Sequence, residues 1–236
     1  MLIAETKISF LSPFLTTFST KRVKTITPSP LDVDAFSRQC EGRNRIEEFI
    51  KKGFTNAYSA DIHVSMPVVL AVKKGTYKAA LGVRSTRSAL FIEQYLDSSI
   101  EQLLSTPDNP VSRDEIIEIG HLFSNAQKFT IPLLLVTAAS LYRSGFKYMV
   151  FTGTEQVNKL ISRTGINVSH LANADSNKLD KSNDQWGTYY DSNPQVVSVS
   201  LANVMAIVSA KDGYLKLFHS LEKKIACVTK IIENLA

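Results

Sequence analysis

The sequence predicts an α/β fold, a mixed sheet flanked by helices with a helical appendage at the C-terminal end. Three stretches carry that expectation. Residues 115–165 read as strand, helix, strand, helix, a crossover that only parallel strands need. Upstream, the apolar runs Met66 to Val72 and Ala79 to Arg84 flank a short Lys/Gly turn and predict an antiparallel hairpin. Before them, Ile46, Phe49, Ile50, Phe54 and Tyr58 line one stripe of a helix over 43–58. A hairpin beside a parallel crossover makes the sheet mixed and leaves helices to cover its faces.

The remaining elements follow in order. Residues 1–40 mix apolar pieces with Thr, Ser and Pro and read as an extended arm with room for one strand. Phe91 to Leu96 suits a short helix, and Ser98 with Glu101 has the pattern of a capping box opening another, with Ile100, Leu103 and Leu104 inward. Glu115 to Leu122 is a strand. Thr130 is placed to cap the next helix, whose first turn tolerates Pro132 and which stops at Gly145. Tyr148 to Phe151 is a buried strand, and Thr154 caps a helix with Val157, Leu160 and Ile161 on one face. A polar loop spans 173–184, a strand 196–204, and a Lys-rich helix 214–235. The division expected is an arm over 1–40, a main domain over 41–204 and a helical segment over 205–236.

The chain has 236 residues, 44% hydrophobic and 21% charged, the balance of an ordinary globular protein. A net charge of +5 spread over small clusters points to a solvated surface, not to a nucleic-acid binder. Cys40 and Cys227 form no motif, which suits a reducing, cytoplasmic setting. Glu5 stands where a secretion signal needs positive charge, so none is expected. The longest apolar run, Ile131 to Tyr142, falls short of the roughly 20 residues of a membrane span.

One residue is chemically out of place. Glu118 sits inside the otherwise apolar Ile116-Ile117-Glu118-Ile119, and a buried charge is costly unless paired or used. It lies toward the end of a strand facing a helix start, where open α/β sheets hold ligands. A structural ion pair with Arg84 or Arg113 and a role as general base are both open to it. His121, three residues on, should point to the opposite face unless a bulge intervenes. Glu93 and Asp97 share a helix face and suit either solvent or a cationic amine. Of Thr152 and Thr154, one should be only a helix cap. Trp186, Tyr189 and Tyr190 read as packing under a loop or as the wall of a pocket for an acyl chain. The four histidines lack ligand spacing, and no nucleophile elbow, P-loop or dinucleotide fingerprint is visible.

The element order resembles that of the N-acetyltransferase (GNAT) superfamily. More specifically, Arg45-Ile46-Glu47-Glu48-Phe49-Ile50, Leu81-Gly82-Val83-Arg84 and Leu90-Phe91-Ile92-Glu93-Gln94-Tyr95-Leu96-Asp97 resemble the thermostable hemolysin family. Arg113, Glu118-Ile119-Gly120-His121-Leu122, Phe151-Thr152-Gly153-Thr154 and Trp186-Gly187-Thr188-Tyr189-Tyr190-Asp191 continue the match over residues 40–200. That family is in turn distantly similar to acyl-homoserine-lactone synthases, which are GNAT-fold N-acyltransferases. Arg45, Arg84 and Glu118 fall where those enzymes carry functional Arg, Arg and Glu.

The resemblance implies transfer of an acyl group from a thioester to an amine. Acyl-CoA or acyl-phosphopantetheine on an acyl carrier protein would be the co-substrate, with no tightly bound cofactor. It makes Glu118 the base, has Arg84 and Arg113 orient substrate or Glu118, and lets amides near Leu122, Phe123 and Ser124 polarise the carbonyl. His121 stands where the family has Asn, and Phe123 where it has a small residue, so specificity should differ. The phosphate-facing run Asn125-Ala126-Gln127-Lys128-Phe129-Thr130 has no glycine. With only the helix start and Lys128 to meet phosphates, a carrier-protein donor is favoured. The family name implies membrane lysis instead, for which the Lys-rich C-terminal helix is the candidate surface. A binding module that has lost its chemistry is the third implication, on the strength of the glycine-free loop.

Overall fold

A computed structural model describes residues 3–5, 31–180 and 184–235. Its strands and helices begin with β1 (Ile3–Glu5), β2 (Asp32–Ser37), α1 (Arg43–Tyr58), β3 (Val68–Lys74) and β4 (Thr76–Ser85). A short 3-10 helix (Phe91–Tyr95) and α2 (Ile100–Leu104) lead to β5 (Ile116–Ser124), α3 (Gln127–Arg143), β6 (Tyr148–Gly153) and α4 (Glu155–Arg163). The chain closes with β7 (Ser169–Asn173), β8 (Gln195–Ser200), α5 (Leu201–Ala210) and α6 (Asp212–Glu233). The sheet runs β2-β3-β4-β5-β6-β8-β7, with β1 lying against β5 off that path. Among the described strands only β5–β6 and β1–β5 are parallel, so the sheet is mixed as expected.

Helices cover both faces because the central strands, β5 above all, bury side chains on both. One face packs against α3, α4, α5 and α6; Ile117, Ile119, Leu133, Val136, Phe151, Val199 and Ile225 belong to that core. The other is covered by α1 and the 3-10 helix, through Ile46, Ile50, Phe54, Ile92 and Tyr95. The C-terminal helix is part of the main core. Leu221, Ile225, Val228 and Ile232 of α6 are buried, and the Ser140 hydroxyl of α3 donates to the Ile225 carbonyl at 3.2 Å. Lys224 of α6 reaches the β2 carboxylates of Asp32 and Asp34.

Several local expectations change. The arm contributes two strands: β2 pairs antiparallel with β3, and β1 pairs with β5; residues 6–30 lie outside the described ones. The strand expected to reach 204 ends at Ser200, whose hydroxyl accepts from Asn203 N at 3.4 Å and starts α5 there. Val196 to Val204 is apolar enough for either element, and the cap decides. Thr130 does not cap α3, which begins three residues earlier after Ala126; Thr130 is buried in the first turn. Ser98 caps nothing either: α2 follows Ser99, and Leu103 is exposed. Thr154 does cap α4, accepting from Val157 N.

A bulge in β5 matters most for the site. Ala80 pairs with Phe123 and Gly82 with Gly120, so β5 spends three steps where β4 spends two. The extra residue is taken up around His121, whose φ of 52° lies in the left-handed region.

Candidate functional site

The site lies where β5 and β6 part. β6 pairs with β5 only from Ile116 to Glu118, opposite Tyr148 to Val150. Beyond Glu118 the β6 side of β5 is released, and β1 pairs with its far end, Ile3 opposite Leu122, Ala4 opposite Phe123 and Glu5 opposite Ser124. A splay between two parallel strands at their C-terminal ends is where such sheets hold ligands.

Glu118 is completely buried on the α1 side of this splay. Its carboxylate accepts from Phe91 N at 3.0 Å and Ile92 N at 3.2 Å, the two amides that open the 3-10 helix. Arg84, its register partner on β4, approaches to 3.8 Å and also donates to the Ser65 hydroxyl at 2.9 Å. The anomalous charge is therefore paired and hydrogen-bonded, as burial requires.

The bulge brings His121 to the same side. Leu122 then faces the α3 core and Phe123 the α1 core, so alternation resumes with opposite parity after the bulge. The His121 ring stands 6.2 Å from Phe54 of α1, edge-on, and is fully buried. Neither ring nitrogen makes a hydrogen bond of good geometry among the described residues, although the His63 backbone lies beside the ring and opposes the lowering of its pKa. Burial, with Arg84 adding its positive charge, holds the imidazole well below its usual range and therefore neutral.

Further polar atoms converge here. Thr152 follows Val150, the register partner of Glu118, by two residues and so shares its face; its hydroxyl is buried and unpartnered. The Asn158 side-chain oxygen at the start of α4 and the indole nitrogen of Trp186 are likewise buried without partners. Trp186 packs 5.9 Å from Phe91, and Tyr189 stacks on Phe54 at 6.4 Å. Their loop is pinned at Gly187, where φ is 52° and a Cβ would fall 1.9 Å from the Tyr58 carbonyl oxygen. The Tyr95 and Tyr190 hydroxyls meet at 2.7 Å; burial raises both, Tyr190 to about 12.

Other candidates lie apart from this cluster. Arg113 does not orient Glu118: it grips Glu93 at 2.6 and 2.9 Å and Glu101 at 3.1 Å. That grip holds the Glu93 carboxyl below its usual range, so Glu93 is part of a brace and presents no free charge to an amine. Asp97 is exposed and pairs with Lys178 at 2.7 Å. Arg45 points to solvent, and the buried arginine of α1 is Arg43, which donates to the carbonyls of Phe36, Met66 and Pro67. Lys128 is exposed in the first turn of α3. Ser124 is buried and donates to the Ala126 carbonyl at 3.0 Å. Sequence reasoning missed the Phe91 and Ile92 amides, since backbone groups carry no residue signature. It also missed Tyr95, Asn158 and Ser65, which only tertiary packing brings in.

Residues 36–205 match the family model described as "Thermostable hemolysin". The chain belongs to the thermostable hemolysin family. No curated protein matches it in sequence. Among solved structures it is similar to the acyl-homoserine-lactone synthase LasI, with a TM-score of 0.50 and 14% identity over 73% of this chain and 91% of that one. TofI in a ternary complex with an inhibitor and MTA gives 0.53 at 9% identity, over 78% and 99% of the two chains. The CoA-dependent acyl-homoserine-lactone synthase BjaI, with SAM and isopentyl-CoA, gives 0.50 at 10%, over 83% and 90%. This thermostable hemolysin-family protein thus has a GNAT-like acyltransferase fold. Among its described residues no helix is long and apolar enough to cross a membrane, and no group of three or more potential ligands could hold a metal.

Proposed function

We propose that the protein is an N-acyltransferase, moving an acyl group from a thioester on CoA or a carrier protein to an amine. The observation that carries this reading is the parted β5–β6 edge, with Glu118, His121 and Thr152 buried on one face of its two strands and further buried polar atoms on Asn158 and Trp186. Buried polar atoms without partners are rare, and a cluster of them at a strand splay suits the polar groups of a bound substrate. The similar structure of BjaI, a CoA-dependent acyl-homoserine-lactone synthase, was solved with SAM and isopentyl-CoA, a pairing of CoA derivative and second molecule that agrees with this reading.

In this reading the donor's pantetheine arm runs along the edge of β5, and backbone amides near Leu122, Phe123 and Ser124 polarise its carbonyl. Glu118, fixed by the Phe91 and Ile92 amides, stands on the side from which the amine approaches. The acyl tail passes through the splay to an apolar cavity on the other face, lined by Leu134, Ala138, Met149, Ile161, Val199 and Tyr214. The start of α3 has no glycine and an exposed Lys128, a thin grip for the phosphates of CoA, which favours a carrier-protein donor.

The test is to incubate purified protein with a pool of amines and a panel of acyl-CoA and acyl-carrier donors. Thiol release and a new N-acyl product are followed together. Product that drops ~10²-fold or more in Glu118→Gln supports the reading. No thiol release from any donor would sink it. Direct lysis has less support, because the apolar side of α6 that would meet a membrane is packed on α3 and β2. Lysis by expressing cells but not by pure protein would point to a lytic small-molecule product.

A further inference from the structure

We propose that His121 is the base that takes the proton from the attacking amine, and that Glu118 is a positioning residue beside it. This rests on the acyl-transfer reading above and names the residue that does its proton chemistry. A histidine kept only for packing would give at least one nitrogen to a carbonyl or hydroxyl, because an unmet buried polar atom is costly. His121 makes no bond of good geometry with either nitrogen, although it is fully buried and the His63 backbone is close by. Its backbone adds to that cost with a φ of 52° inside a strand. The bulge that imposes this φ is also what turns the ring from the α3 core to the α1 side, against Phe54, the face that also carries Glu118. Both costs fall on one residue, within the part of β5 beyond Glu118 that has no partner from β6.

Glu118 is engaged differently. Each of its oxygens accepts from a fixed backbone amide, and Arg84 faces it. Those bonds hold the 3-10 helix against the sheet and bias the carboxylate toward acceptance from fixed donors. The imidazole makes no well-formed hydrogen bond and is neutral, the form a base must have before the reaction.

The step balances without a further reactant. The amine nitrogen attacks the thioester carbonyl carbon and the C–N bond forms. The proton shed by that nitrogen passes to a ring nitrogen of His121. As the C–S bond breaks, the thiolate takes the proton back and leaves as a free thiol. One thioester and one amine give one amide and one thiol, and His121 ends neutral.

Bromoacetyl-CoA tests this directly, since it sets an electrophilic carbon beside the thioester carbonyl. The full chain is used with the exposed Cys40 and Cys227 both changed to Ser, so that they do not consume the reagent. Binding is measured by calorimetry and the alkylated residue is mapped by mass spectrometry. The expected result is one carboxymethyl-type adduct on His121, suppressed several-fold by acetyl-CoA and absent in His121→Gln. His121→Gln should also still bind the donor, with its affinity within about twofold, which shows that the cleft is intact. Binding that acetyl-CoA competes, with no adduct on His121, would overturn the role of His121 while leaving the acyl-transfer reading standing. Absence of binding by any acyl-CoA or acyl-carrier donor would overturn both.

Discussion

Gly53 of α1 and Phe123 of β5 meet in direct contact: a Cβ at Gly53 would lie 2.3 Å from the Phe123 ring. The helix therefore rests on the sheet just beside the site, with the aromatic ring filling the space that a glycine leaves. Phe123 also meets Phe49 at 5.1 Å, edge-on, so it has no free direction in which to yield. Gly53→Ala should cost ~1–3 kcal/mol, the usual penalty of overpacking, despite the higher helix propensity of Ala. Urea unfolding with an unchanged slope would register it. Phe123→Leu in the same chain should recover part of the loss, a coupling that independent sites would not show. Strictly additive effects would contradict this packing.

His121 makes stability depend on pH in a definite window. Its pKa in the folded chain is lowered, by burial first, from the 6.5 of an unfolded chain. Below 6.5 the unfolded state takes up the proton first, so stability is full above that value and declines as pH falls toward the folded pKa. The slope is up to ~1.4 kcal/mol per pH unit. Glu93 and Glu115, both lowered from 4.5, act only further down and so do not contribute in this interval. His121→Gln should flatten the stability curve between pH 6.5 and 5. A slope that survives the substitution would show that another group titrates there.

The same residue shows what the sequence did and did not disclose. The crossover over 115–165 was legible because strand and helix periods differ and Gly145 and Thr154 mark the ends. Glu118 was legible because one charge among three isoleucines has few explanations. The side on which His121 lies was not, because it depends on β4 running two residues while β5 runs three. Pairing was equally hidden: Arg84 and Arg113 were both plausible partners for Glu118, and only folding assigns Arg84 to it and Arg113 to Glu93 and Glu101. Val196 to Val204 satisfied either period, so Ser200 had to decide between them.

The Arg113 assignment carries a prediction of its own. Arg113 braces the 3-10 helix through Glu93, whose other contact is the Leu90 amide at 2.8 Å. The pair is partly exposed, so Glu93→Gln should cost only ~0.5–1 kcal/mol. The folded carboxyl pKa is lowered, by the Arg113 hydrogen bond first, so this contribution is present above 4.5 and lost as pH falls through the folded value. The wild-type and Glu93→Gln stability curves should therefore converge in acid. Thiol release at neutral pH should change less than twofold, against a far larger loss for Glu118→Gln. Equal losses in the two variants would place Glu93 in the chemistry after all.

The last prediction concerns β1. Ala4 stands opposite Phe123, and β1 pairs with β5 from Leu122 to Ser124, the edge along which the proposed pantetheine arm would run. A strand edge has one row of amides and carbonyls, so β1 and an extended, amide-bearing arm exclude each other there. The free chain then divides between closed and open forms, and donor affinity falls by the open fraction. Ala4→Pro removes the backbone N–H at that position and weakens the pairing without touching β5 itself. Its apparent affinity for an acyl-pantetheine donor should rise several-fold by calorimetry, while the thermal midpoint without donor falls slightly. Donor should also narrow the gap in thermal midpoint between wild type and variant, because bound donor displaces β1 in both. An affinity that falls in Ala4→Pro would mean that β1 helps to build the donor site, and the competition between them would be abandoned.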